Sequence, residues 1–196
     1  MNNSYFVAVI SEVKKEYIVS GGIKKPLIKA LCYDQDGEIS EISLVFSEIC
    51  QIKKATAINV GDVVFFSASI GECPRDNYVF YPNNLYLVRK CTMEFEDMSR
   101  KFVESRLLPY VGETNQVVFE GNVIDKAGDE VCIAAKNDIL VRGDIEEEYH
   151  IWVKNTQGNT DMLKDTRVIF VGGTSKDKLK GMVFPLGLDI KERKEA

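Results

Sequence analysis

The segment GDVVFFSASIGECPRDNYVFYPNNLYLVR, residues 61–89, sets two phenylalanines before a Gly/Cys/Pro/Arg loop and Tyr78, Phe80 and Tyr81 directly after it. Successive strand residues face opposite sides, so Val64, Phe66, Ala68 and Ile70 share one face, and Val63, Phe65, Ser67 and Ser69 the other. The first is the core face. Residues 78–88 alternate less cleanly, with Tyr78 and Phe80 opposite Val79 and Tyr81. Both faces carry rings, and at least one ring is expected outside the core. The segment reads as strand, exposed loop, strand.

The end of the chain echoes it. KDTRVIFVGGT, the lysine-rich SKDKLK and GMVFPLGLDIKER repeat the same order, offset by 105–110 residues. Upstream of each copy comes an early strand (Ser4 to Val13; Gln116 to Ile124) and then a strand pair. In the first half the pair is Leu27 to Tyr33 and Ile39 to Phe46 around the turn Asp34-Gln35-Asp36-Gly37; in the second it is Glu130 to Ala135 and Tyr149 to Lys154. A short helix is expected at Ser47 to Ala55. Between the halves, Phe95, Met98, Phe102 and Val103 follow helical spacing, with Thr92 as N-cap and Pro109 and Gly112 as the stop, and this helix is expected to pack between two barrels.

Three strands, a short helix, a strand, a long loop and a last strand is the order of an OB-fold barrel. The fold expected is therefore all-β: two tandem OB-fold barrels of five strands, residues 1–90 and 116–196, joined by a linker with a short helix at 91–115.

Bulk properties narrow the function. The chain has 196 residues, 45% of them hydrophobic, and its longest apolar runs are far below the roughly 18 residues of a membrane span. The N-terminus lacks the pattern of a leader peptide, so an intracellular, cytoplasmic protein without membrane contact is expected, in the host cytoplasm if viral. Cys32, Cys50, Cys73, Cys91 and Cys132 form no CxxC, and His150 is the sole histidine. Neither a zinc site nor a disulfide framework is indicated, and no cofactor or metal is expected. The acidic run 144–148 reads as solvated surface, GGTSKDK lacks phosphate-loop spacing, and no nucleophile motif accompanies His150. The net charge of −5 argues against coating nucleic acid by bulk attraction. Residues 1–90 are balanced, ten basic against ten acidic, so the deficit lies in the second half. Basic residues near loops can still meet phosphates, because affinity follows the phosphates neutralised.

On KKPLIKALCYDQDGEI (24–39), FSEICQIKKATAINVGDVVFFSASI (46–70) and NYVFYPNNLYLV (77–88), the first half resembles the DNA-binding OB domains of the replication protein A large subunit. The resemblance covers about 90 residues and is weak in the second half. It implies a non-enzymatic, single-stranded DNA-binding protein of replication, recombination or repair, with other proteins of those processes as further partners. It places one stacking ring on Tyr78 and puts Ile28 where the family has its other ring; Tyr17, Phe65 or Phe80 is expected to substitute. Lys24 and Arg75 fall on the family's clamping loops, with Lys25 and Lys29 close by. Independently of the resemblance, Trp152 is either a core anchor or a stacking ring, and Lys176, Lys178 and Lys180 sit in the loop where phosphates would pass. Phe66 and Tyr86 are expected to pack in the barrel wall. The ring-bearing first half is expected to hold most of the affinity. The competing reading is an OB-fold subunit that binds proteins and not nucleic acid.

Overall fold

The computed structural model describes residues 2–18, 24–46, 57–71, 78–92, 98–111, 115–136, 148–157, 164–176 and 178–186, and within these the side chains of 15–18, 24, 25, 78 and 136 lie outside the description. The expected helix at 47–55 falls outside it too.

Ten strands form among the described residues: β1 (Asn2–Ile18), β2 (Lys24–Tyr33), β3 (Ile39–Val45), β4 (Val63–Ile70), β5 (Tyr78–Arg89), β6 (Gln116–Ala127), β7 (Glu130–Lys136), β8 (Glu148–Asn155), β9 (Arg167–Gly173) and β10 (Leu179–Pro185). β1 pairs with both β2 and β4, and β5 closes the ring by running antiparallel to β4 and parallel to β3. The second half repeats this circuit: β6 pairs with β7 and β9, and β10 runs antiparallel to β9 and parallel to β8. Two five-stranded barrels of OB order result. The hydrogen bonding is nevertheless continuous through all ten strands, because Asn2–Tyr5 of β1 pair antiparallel with Gln116–Phe119 of β6. That seam leaves no periodic trace in the sequence.

Alternation sorts the residues as expected on β4, where Val64, Phe66, Ala68 and Ile70 are fully buried. The repeat is visible in the cores. Phe6 lies across from Phe66 with ring centroids 5.1 Å apart, and Phe119 lies across from Phe170, also at 5.1 Å. Both cores belong to one cluster, to which Tyr81 is added by stacking on Tyr149 of the second barrel at 6.3 Å.

The linker helix is shorter than expected. α1 (Arg100–Leu107) starts after Ser99, whose hydroxyl accepts the Phe102 amide at 3.3 Å; Thr92 is not its cap. A single 3₁₀ turn, Leu108–Tyr110, follows with Pro109 inside it. Nor does the helix pack between the barrels. Val103 and Leu107 bury against Val7, Val9 and Val63, the outward residues of β1 and β4, with Met98, Phe102, Leu31, Tyr33 and Ile39 around them. Buried Arg106 fastens it there, donating from Nη2 to the carbonyls of Gly61, Arg89 and Lys90 at 3.1–3.2 Å.

A second set of contacts ties the barrels together at the β2–β3 turn. Asn115 donates from Nδ2 to Tyr33 O (2.5 Å) and Thr174 Oγ1 (2.6 Å), and its Oδ1 accepts the Thr174 amide at 2.9 Å. Asp36, at the turn's tip, accepts from Ser175 and Lys180, both at 2.6 Å. The β9–β10 loop of the second barrel is therefore pinned to the first.

Candidate nucleic-acid interface

In an OB barrel, oligonucleotides use the outer face of the second and third strands and the loops after the first and fourth. In the first barrel that face belongs to β2 and β3. Its outward residues Leu31, Tyr33 and Ile39 are packed into the cluster under α1. Lys29, also on it, is held by Glu41 at 2.8 Å and approached by Glu12 at 3.9 Å. The hydrogen bond and charge of Glu41 raise the Lys29 pKa, so its ammonium is already partnered.

Two candidate rim residues are core residues instead. Ile28 is fully buried, because Lys29 rather than Ile28 takes the outward position on β2. Phe80 is fully buried as well, edge-on to Phe6 at 4.7 Å. Neither can stack on a base. Phe65 is half-buried, wedged between the α1 cluster and Tyr86, on which it stacks at 6.2 Å with 24° between the planes. Tyr86 was expected in the wall but is 53% exposed. Extra residues on β5, Val88 facing the Val63–Val64 step and Asn83 facing the Ser67–Ala68 step, set the register that brings Tyr86 opposite Phe65, and alternation alone could not supply it. Tyr78 opens β5 with its backbone across from Ile42, and Lys24 and Lys25 open β2 across from Ile18 and Tyr17. The side chains of Tyr78, Lys24, Lys25 and Tyr17, and all of Arg75, lie outside the described residues.

The equivalent face of the second barrel, β7 with β8, carries no helix among the described residues. Along β8 Tyr149, Ile151 and Val153 are buried, which turns His150, Trp152 and Lys154 outward. Trp152 is half-buried and His150 exposed. Their cross-strand partners are small, Cys132 and Ala134, so the ring has no bulky neighbour on β7. Burial raises the Cys132 thiol pKa, which keeps it an uncharged, packing group. Lys178, at the entrance to β10, reaches across with Nζ 5.9 Å from the Trp152 ring centroid and forms an ion pair with Glu130 of β7. Lys154 is taken by Asp129 at 3.1 Å and Lys180 by Asp36, while Lys176 stands exposed on the loop. The structure thus brings Trp152 and Lys178 together on the second barrel, leaves Lys176 exposed on the β9–β10 loop, and does not bring Phe80 or Ile28 to any surface.

The described residues hold no group of three or more His, Cys, Asp or Glu placed to bind a metal ion. No described helix is long and apolar enough to cross a membrane.

No family model and no curated protein sequence matches this chain. Among solved structures, the wild-type single-stranded DNA-binding protein from Thermus aquaticus is similar over 95% of this chain and 90% of its own, at 11% identity and a TM-score of 0.53. A deletion variant of that protein covers 95% and 92%, at 12% identity and a TM-score of 0.52. The mitochondrial single-stranded DNA-binding protein of S. cerevisiae covers 45% of this chain and 97% of its own, at 15% identity and a TM-score of 0.40. The Thermus likeness runs through both barrels and is a likeness of fold. These neighbours are named as single-stranded DNA-binding proteins, and they do not bear specifically on a likeness to the replication protein A large subunit.

Proposed function

We propose that this protein binds single-stranded DNA without base-specific chemistry, in replication, recombination or repair. The observation that carries the reading is the outward Trp152 on the β7–β8 face, which carries no helix among the described residues, beside Lys178 and the loop that holds Lys176. Any base offers a π-face, so a ring in this position stacks for roughly 1 to 3 kcal/mol per base while the lysines follow the phosphates. The first barrel contributes through Tyr78, Arg75, Lys24 and Lys25, the part of its platform that the resemblance supports. The protein acts by binding and not by turnover.

The test is fluorescence anisotropy with a labelled dT oligomer, a duplex and an RNA of equal length at two salt concentrations. The single strand is expected to bind more tightly than the duplex and to weaken as salt rises, since each neutralised phosphate releases counterions. Trp152→Ala and Tyr78→Ala are each expected to cost about 1 to 3 kcal/mol of binding, and their ratio apportions affinity between the barrels. An oligomer whose anisotropy never changes, even at low salt, favours the protein-binding subunit instead. Exposed Tyr86 and Phe184, at matching positions on β5 and β10 opposite Phe65 and Ile169, are the surface such a subunit would use.

A further inference from the structure

The Trp152 platform is not free in the unliganded protein. Lys178 Nζ stands 5.9 Å from the ring centroid, within the range of a cation–π contact, and the Glu130 carboxylate holds it there. Lys154, the cross-strand neighbour of Glu130, is engaged by Asp129, so among the described residues Lys178 is the cation that Glu130 serves. The ammonium that would meet a phosphate is thus neutralised by a carboxylate, and the ring that would meet a base is covered by the ammonium.

Resting on the single-strand reading, we infer that Glu130 and Lys178 form a latch over Trp152 that nucleic acid opens by exchange. A phosphate oxygen takes the place of the Glu130 carboxylate on Lys178, the ammonium moves off the ring toward the backbone, and a base takes its place on Trp152. No covalent bond changes. The latch makes binding a concerted demand for phosphate and base together, so a free anion or a free base engages the site poorly. Its restraint is modest, because Lys178 is 39% and Glu130 28% exposed and ion pairs of that exposure are weak.

The sole tryptophan makes the test direct. Acrylamide quenching of Trp152 is measured in the free full-length protein, and dT-oligomer affinity by anisotropy, for the parent, Glu130→Gln and Lys178→Ala. Glu130→Gln is expected to raise the quenching constant and tighten oligomer binding about two- to fivefold, the scale of one half-exposed ion pair. Lys178→Ala is expected to raise quenching too, yet weaken the oligomer, because the phosphate contact goes with the cover. Opposite changes in affinity with the same change in quenching are the signature of the latch, and matching circular dichroism spectra exclude unfolding as its cause. Quenching unchanged in both variants would overturn the latch whatever the oligomer does. A parent protein that binds no oligomer while quenching rises in both variants would keep the cover over Trp152 and sink the single-strand reading with the exchange built on it.

Discussion

Phe80 shows how a ring beside a loop misleads. It meets Phe6 edge-on, and Phe6 stacks on Phe66, so the three rings pack together in the core of the first barrel. Alternation on β4 gave the inward set correctly because that strand is regular where its inward residues lie; on β5 rings occupy both faces, and only closure of β5 onto β3 and β4 decides between them. Lys29 misleads for a related reason. Its charge reads as a phosphate contact, but cross-strand Glu12 and the nearby Glu41 claim it, and such pairs depend on register that no run of residues displays. Trp152 was readable only as two alternatives, core anchor or stacking ring; the burial of Ile151 and Val153 turns its ring away from the barrel core. For Phe80, truncation tests the reassignment. Phe80→Ala is expected to destabilise the fold by about 3 to 5 kcal/mol, the loss of a buried ring plus its cavity, measured by urea unfolding. A shift below about 1 kcal/mol would be too small for a core aromatic and would return Phe80 to the rim.

At the scale of elements, the strands were largely legible because half-buried strands advertise themselves by period 2 and end at turn residues such as Asp36-Gly37, where Gly37 takes a φ of 77°. The helix was legible in its contacts but not its span. Met98, Phe102 and Val103, picked by spacing, all touch the cluster over β1 and β4, yet Met98 does so from outside the helix. Spacing reports which residues share a face, and a cap decides where the helix starts. Ser99→Ala removes the acceptor for the Phe102 amide and is expected to cost about 1 kcal/mol, seen as a lower Tm with the strand signal in circular dichroism intact. No change in Tm would mean the cap is replaced by solvent at that exposed end.

The whole molecule rests on features that the sequence did not disclose: the β1–β6 seam and the polar junction around Asn115. Edge pairing leaves no periodic trace beyond that of an ordinary strand, and Asn115 looks like any polar linker residue. Asp36 gives the junction a pH dependence. Hydrogen bonds from Lys180 and then Ser175 lower its pKa. A carboxylate lowered in this way stabilises the fold in full above its unfolded pKa, about 3.9, and loses that contribution as pH falls through the lower folded value. Asp36→Asn is therefore expected to lower stability slightly above about pH 4 and to converge on the parent as pH falls below it, which flattens the acid limb of a stability-versus-pH curve; the effect is small because the group is exposed. Asn115 carries more of the junction. Its amide satisfies the Tyr33 carbonyl from one barrel and both the hydroxyl and amide of Thr174 from the other, while its own carbonyl accepts from Gln35 at 3.4 Å. Thr174 is fully buried, so its amide has no water to turn to when the Asn115 oxygen is removed. Asn115→Ala is expected to cost roughly 1 to 3 kcal/mol, the penalty of buried polar groups left unpaired, and to do so locally. Hydrogen exchange should quicken at Thr174 and at Gln35, whose amide bonds the Thr174 carbonyl at 2.9 Å, while amides of the Phe6–Phe66 and Phe119–Phe170 cores stay protected. Uniform acceleration in both barrels would instead show that the junction and the cores unfold as one unit, and unchanged exchange at Thr174 would remove Asn115 from the junction altogether.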